Sequence, residues 1–94
     1  MKLDGFIWLD QIIDKLISKY GVETYEVEEV LMGNPKFRFV EKGERKNENV
    51  YMVLGQSDAG RYLAVLFIRK QNGEALILSS RDMAAKERRK YDRK

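Results

Sequence analysis

Arg81, Arg88 and Tyr91 lie within the last eighteen residues, Ile77 to Lys94, and their types suit one task. The segment reads as an apolar strand ending at Ser79-Ser80, an arginine at the corner, and a basic helix over about Asp82 to Asp92. That order brings two guanidinium groups and a phenol to one strand end, where they can hold a phosphodiester. The planar fork of arginine binds phosphate through paired hydrogen bonds and stays charged. A position beside a helix N-terminus adds free amides that favour an anion at Arg81. The competing reading pairs Arg81 with Asp82, Glu87 or an acidic helix, and uses Tyr91 to pack the helix end against the sheet. The chain has no histidine, so any acid–base chemistry falls to phenols, amines and carboxylates.

Composition narrows the partners. Residues 81–94 carry seven basic side chains against three acidic ones, while Glu23 to Glu29 carries four acidic and no basic ones. An acidic shoulder and a basic end suit a polyanion partner or electrostatic self-association, a homodimer included; the other reading is two solvated helix faces. Cysteine is absent, which removes disulfides and thiolate metal sites and fits a reducing cytosol. Without histidine or cysteine, no transition-metal site and no cofactor are expected. The start, Met1 to Gly5, lacks the long apolar region of a signal peptide, and no run approaches the ~20 apolar residues that span a bilayer. A cytoplasmic protein without a membrane partner is expected.

The elements that must position these residues are set by periodicity. Phe6-Ile7-Trp8 reads as a short strand or a lead-in. Leu9, Ile12, Ile13, Leu16, Ile17 and Tyr20 recur at helical spacing, and Gly21 stands where a glycine ends a helix. A second helix is predicted over Thr24–Met32, with Thr24 as N-cap, Glu26 and Glu28 in the first turn, and Val27, Val30 and Leu31 inward. Four strands are predicted: one around Phe37 and Phe39, then Val50–Gly55, Arg61–Arg69 and Glu74–Ser79. Glu41 to Asn49 reads as a charged loop, and Asn72-Gly73 as a hairpin turn. The third and fourth strands are apolar on both faces and are expected to be central or covered on both sides. Residues 1–94 are therefore predicted to form one α+β domain: two N-terminal helices, a four-stranded antiparallel sheet and a C-terminal basic helix.

Several segments recur in a known order. They are Trp8, then Lys19-Tyr20-Gly21-Val22, then the acidic stretch Glu26 to Pro35, then Glu48-Asn49-Val50-Tyr51 running to Gly55. Gly60-Arg61 comes next, before an apolar strand, then Leu78-Ser79-Ser80-Arg81, Met83-Ala84-Ala85 and Glu87-Arg88-Arg89-Lys90-Tyr91. In order and spacing they resemble the BrnT family of bacterial ribonuclease toxins, which have a RelE-like fold. The likeness covers nearly the whole chain from Trp8. It implies the toxin of a type II toxin–antitoxin pair, a metal-independent ribonuclease that inhibits translation and is silenced by a DNA-binding, ribbon-helix-helix antitoxin. Two features depart from the pattern: the family histidine is Tyr20, and polar positions of the first helix are Ile12 and Leu16. They keep open a catalytically inactive relative that binds RNA or a partner. A purely structural interaction domain is the third reading.

Metal-free RNA cleavage needs a base for the 2′-hydroxyl, cations for the pentavalent phosphorane, and an acid for the leaving 5′-oxygen. The resemblance gives the cationic role to Arg61 and Arg81, with Arg88 in support. Tyr91 becomes the acid or a stacking platform, and Glu48 the base. Tyr20 takes the histidine position, and Lys19 supplies a positive field beside it. Against each stands a plainer reading: Arg61 as a solvated turn arginine, Glu48 as a loop glutamate, Lys19 as a solvated lysine, Trp8 as core.

Overall fold

The first helix starts after Leu9, runs as an α-helix over Asp10–Lys15 (α1), and then widens into one π turn over Leu16–Tyr20. Gly21 closes it at φ 63°, in the left-handed region that glycine enters freely, and its N–H reaches the Ile17 carbonyl at 3.0 Å. This is a computed structural model, and it describes residues 1–93; Lys94 of the basic tail lies outside the described residues, as does the side chain of Phe39. The π turn holds one residue more than an α turn, which rotates the end of the helix about its axis. Leu16 is buried, whereas Ile17, placed on the same inner stripe by its spacing, turns outward and is exposed.

Helix α2 spans Thr24–Met32 and buries Val27, Val30 and Leu31, as its spacing predicts. Its N-cap is Glu23 rather than Thr24, because the Glu26 carboxylate folds back to accept the Glu23 N–H at 3.0 Å.

The remaining elements are β1 (Gly5–Ile7), β2 (Lys36–Lys42), β3 (Asn49–Gln56), β4 (Tyr62–Arg69), β5 (Glu74–Asp82) and α3 (Ala85–Asp92). The class is α+β, but the sheet has five strands in the order β1-β5-β4-β3-β2 rather than four. It is also mixed: β1 pairs parallel with β5, and every other pair is antiparallel. Strand β1 docks through backbone contacts that its three residues do not announce. Asp4 N–H bonds the Gly73 carbonyl at 2.9 Å, and Gly73, at φ 90°, leaves no room for a Cβ beside the Asp4 carboxylate.

A second correction concerns the strand end. Strand β5 does not stop at Ser79 but runs on to Asp82, so Arg81 lies within the strand, paired across to Ala64, and α3 begins later, at Ala85. The extension is held by Arg61, whose guanidinium bonds the Asp82 carboxylate.

Directly paired residues share a sheet face. On one face Val53, Leu63, Val65, Phe67 and Ile77 are fully buried against Leu16, Val22, Val27, Val30 and Leu31 of the helices. The other face carries two successive cross-strand rows, Lys36–Leu54–Ala64–Arg81 and Arg38–Met52–Leu66–Ser79. Helix α3 covers only one end of it, where buried Tyr91 meets the Tyr62 ring edge-on at 5.9 Å.

Ser80 stands out in the helix-side core. It is 1% exposed, and its hydroxyl has no hydrogen-bond partner among the described residues. A buried, unbonded hydroxyl costs about 1–2 kcal/mol. Ser80→Ala is therefore expected to raise the urea midpoint, by the equivalent of about 1 kcal/mol; a lower midpoint would show that the hydroxyl is satisfied.

Candidate nucleic-acid interface

Arg61 enters β4 from the β3–β4 turn, and its five N–H groups all have acceptors. Nε donates to Asp82 Oδ1 at 2.8 Å and Nη2 to Asp82 Oδ2 at 3.2 Å. Nη1 reaches the Gly21 carbonyl at 2.9 Å and Glu26 Oε1 at 3.1 Å, and Nη2 reaches the Tyr20 carbonyl at 3.1 Å. The hydrogen bond to Asp82, together with the charges of Asp82 and Glu26, holds the guanidinium above its ordinary range, and Arg61 in turn holds the Asp82 carboxyl below its own. A fork filled in this way ties the end of the first helix, the start of α2 and the end of β5 together. It has no donor left for phosphate.

Arg81 is more open, with a side chain 41% exposed. It grips Glu87 with both terminal nitrogens, at 2.7 and 2.9 Å, and Nη1 also donates to the Asp82 carbonyl at 3.1 Å. Two of its five N–H groups remain unassigned. Glu87 Oε1 also accepts the Ala84 N–H at 2.8 Å at the start of α3, so one carboxylate caps the helix and fixes the arginine. The hydrogen bond between them, with the charge each places beside the other, pushes Arg81 up and Glu87 down. Tyr20 is half-buried, and exposed Lys19 has its ammonium 5.4 Å from the Tyr20 ring centre.

Arg88 lies over Tyr62, its guanidinium carbon 4.0 Å from the ring centre, and the Tyr62 hydroxyl meets Asp92 at 3.2 Å. Tyr91 is only 4% exposed. Its ring packs edge-on against Tyr62 and has the Lys36 ammonium 5.7 Å from its centre, so both tyrosines carry a cation. Glu48 does not join this group. It is 6% exposed, bound to Lys70 at 2.9 Å and to the Gln71 N–H, and the Lys70 hydrogen bond holds its carboxyl below the usual range. It precedes Asn49, at the far end of β3 from Arg81, roughly 20 Å away at about 3.3 Å per strand residue. The hollow beside it, of about 550 Å³, is walled by the 43–48 loop and by charges of both signs.

The open sheet face is also concave. A hollow of about 340 Å³ lies beside Lys36, Arg38, Met52, Glu87 and Lys90, and one of about 100 Å³ adjoins it beside Met52, Leu66, Ser79 and Arg81. Lys36 and Arg38 were not singled out in the sequence. Their signal was the alternation Lys36-Phe37-Arg38-Phe39, which puts both cations on one face of a strand; what they face comes only from the register. Tyr62 was missed for the same reason.

Among the described residues no cluster of acidic side chains could hold a metal ion, and no helix is long and apolar enough to cross a membrane. No family model and no curated protein matches the chain.

Proposed function

We propose that the chain binds single-stranded RNA on the open sheet face, as a cytoplasmic relative of the BrnT toxins. The observation that carries this reading is the clustering of Arg81, Lys36, Arg38 and Lys90 around a half-exposed apolar strip that α3 leaves uncovered, with Arg88 on Tyr62 at its covered end. Cations over an apolar or aromatic floor are how single strands are held without base pairing. A ribbon-helix-helix antitoxin that masks this face, and a homodimer, belong to the same proposal.

Cleavage is the second reading, favoured by the Arg81–Glu87 pair, which puts a cation and an ionised carboxylate side by side. Glu87 would take the 2′-hydroxyl proton and return it to the leaving 5′-oxygen, while the free edge of Arg81 would stabilise the phosphorane. Arg61, Tyr91 and Glu48, the other candidates, are tied, buried or distant.

The test is a mixed RNA substrate incubated in EDTA with the wild type and with Arg81→Ala. Salt-sensitive binding by the wild type, weakened about tenfold in the variant, is the expected result. Cleavage that Arg81→Ala abolishes would establish the second reading. No affinity at low salt would remove both.

A further inference from the structure

Resting on that RNA reading, we infer that the bound strand crosses the β-strands, anchored by one phosphate at Arg81 and another at Arg38, with a base laid on Met52 and Leu66 between them. The register supplies the layout. Arg38, Met52, Leu66 and Ser79 face one another in a single row across β2, β3, β4 and β5, and Arg81 stands in the next row, two residues along β5. Met52 and Leu66 are half-buried, and the two hollows meet at Met52. The apolar centre thus has a cation at each end.

Arg38 is the distinctive member. It is exposed and makes no hydrogen bond or ion pair among the described residues, unlike Arg61 and Arg81. It sits on the edge strand, on the face opposite α1 and α2, of which α3 covers only one end. A cation there protects an edge from pairing, but that role is indifferent to what lies on Met52. Among the described residues, the only carboxylate beside these two hollows is Glu87, which Arg81 already neutralises.

The spacing sets a length. Three inter-strand steps and one row offset separate Arg38 from Arg81, roughly 15 Å at about 4.8 Å per strand. A stacked strand carries a phosphate about every 3.4 Å, so this window holds about four nucleotides, and fewer if the strand is extended. An acidic peptide has no such fixed charge repeat, which is why RNA is the occupant argued.

The experiment is fluorescence anisotropy at low salt with 5′-labelled oligouridines of two, four, six and eight nucleotides. It compares the wild type, Arg38→Ala, and Arg89→Ala, a charge-matched control on the exposed side of α3. The wild type should gain affinity steeply from two to four nucleotides and little beyond. Arg38→Ala should lose about tenfold on the four-nucleotide ligand, lose that step in length, and lower the salt slope by about one, with Arg89→Ala within about twofold of wild type. Equal losses in Arg38→Ala and Arg89→Ala, with wild-type binding intact, would overturn the crossing path and leave the RNA reading standing. No binding of any oligonucleotide by the wild type would overturn both.

Discussion

Arg61→Ala is expected to lose about 2–3 kcal/mol of folding stability, from a total of order 10 kcal/mol for a chain of this size. The loss comes from the partners left behind. The carbonyls of Tyr20 and Gly21, the Glu26 carboxylate and the Asp82 carboxylate all face the same guanidinium, and no other side chain replaces it. The figure is already discounted for Asp82, which is 64% exposed and solvates well on its own. Arg61→Lys should recover less than half, since one ammonium cannot reach four acceptors spread along a planar fork. Asp82 sets the sign of the pH dependence. Its carboxyl is held below the ordinary range, so its contribution is complete above the unfolded value near 4 and is lost as pH falls through the folded one. Glu48 and Glu87 are shifted the same way by Lys70 and Arg81, so the wild type should weaken progressively below about pH 4. The Arg61→Ala deficit, read from urea midpoints, should shrink over that same range. A variant as stable as the wild type, yet unable to bind RNA, would return Arg61 to the phosphate-binding role.

That outcome matters because Arg61 and Arg81 look alike in the sequence. Each flanks an apolar stretch of the sequence. What separates them is which carboxylates the fold brings near: Asp82 and Glu26, 21 and 35 residues away, close on Arg61, while Glu87 closes on one edge of Arg81. Local signals were legible. The Val27–Val30–Leu31 stripe and the Asn72-Gly73 turn formed as their spacing required, because helix faces and tight turns depend on neighbours in the chain. The fifth strand was legible only in part: Phe6-Ile7-Trp8 read as a short strand or a lead-in, but so short a segment shows no period, and its parallel pairing with residues near 75 left no local signal. The run of β5 through Ser79-Ser80-Arg81-Asp82 was not legible, because its polar residues read as a turn until Arg61 supplies the partner. Glu48 was grouped with the arginines because a motif orders residues along the chain and is silent on which end of a strand each occupies.

The two faces of the sheet can be told apart at adjacent residues of β4. Phe67→Ala is expected to cost about 4 kcal/mol, a large share of the total stability. Phe67 is fully buried on the helix side, stacked on Tyr51 at 5.8 Å and edge-on to Phe37 at 6.1 Å, so truncation leaves a cavity lined by rigid rings. Leu66→Ala, one residue away, should cost only about 1 kcal/mol, because its side chain is half-buried on the face that α3 does not cover. Urea denaturation of the two variants measures the contrast, and equal losses would mean that the second face is packed as tightly as the first. The same pair divides stability from binding. Phe67 touches nothing a ligand can reach, so whatever Phe67→Ala does to RNA affinity must track the unfolded fraction. Leu66→Ala leaves the fold nearly intact, so a loss of affinity there is a loss of surface. An apolar residue that is inexpensive to remove from the fold and expensive to remove from the complex is what separates a binding floor from a core.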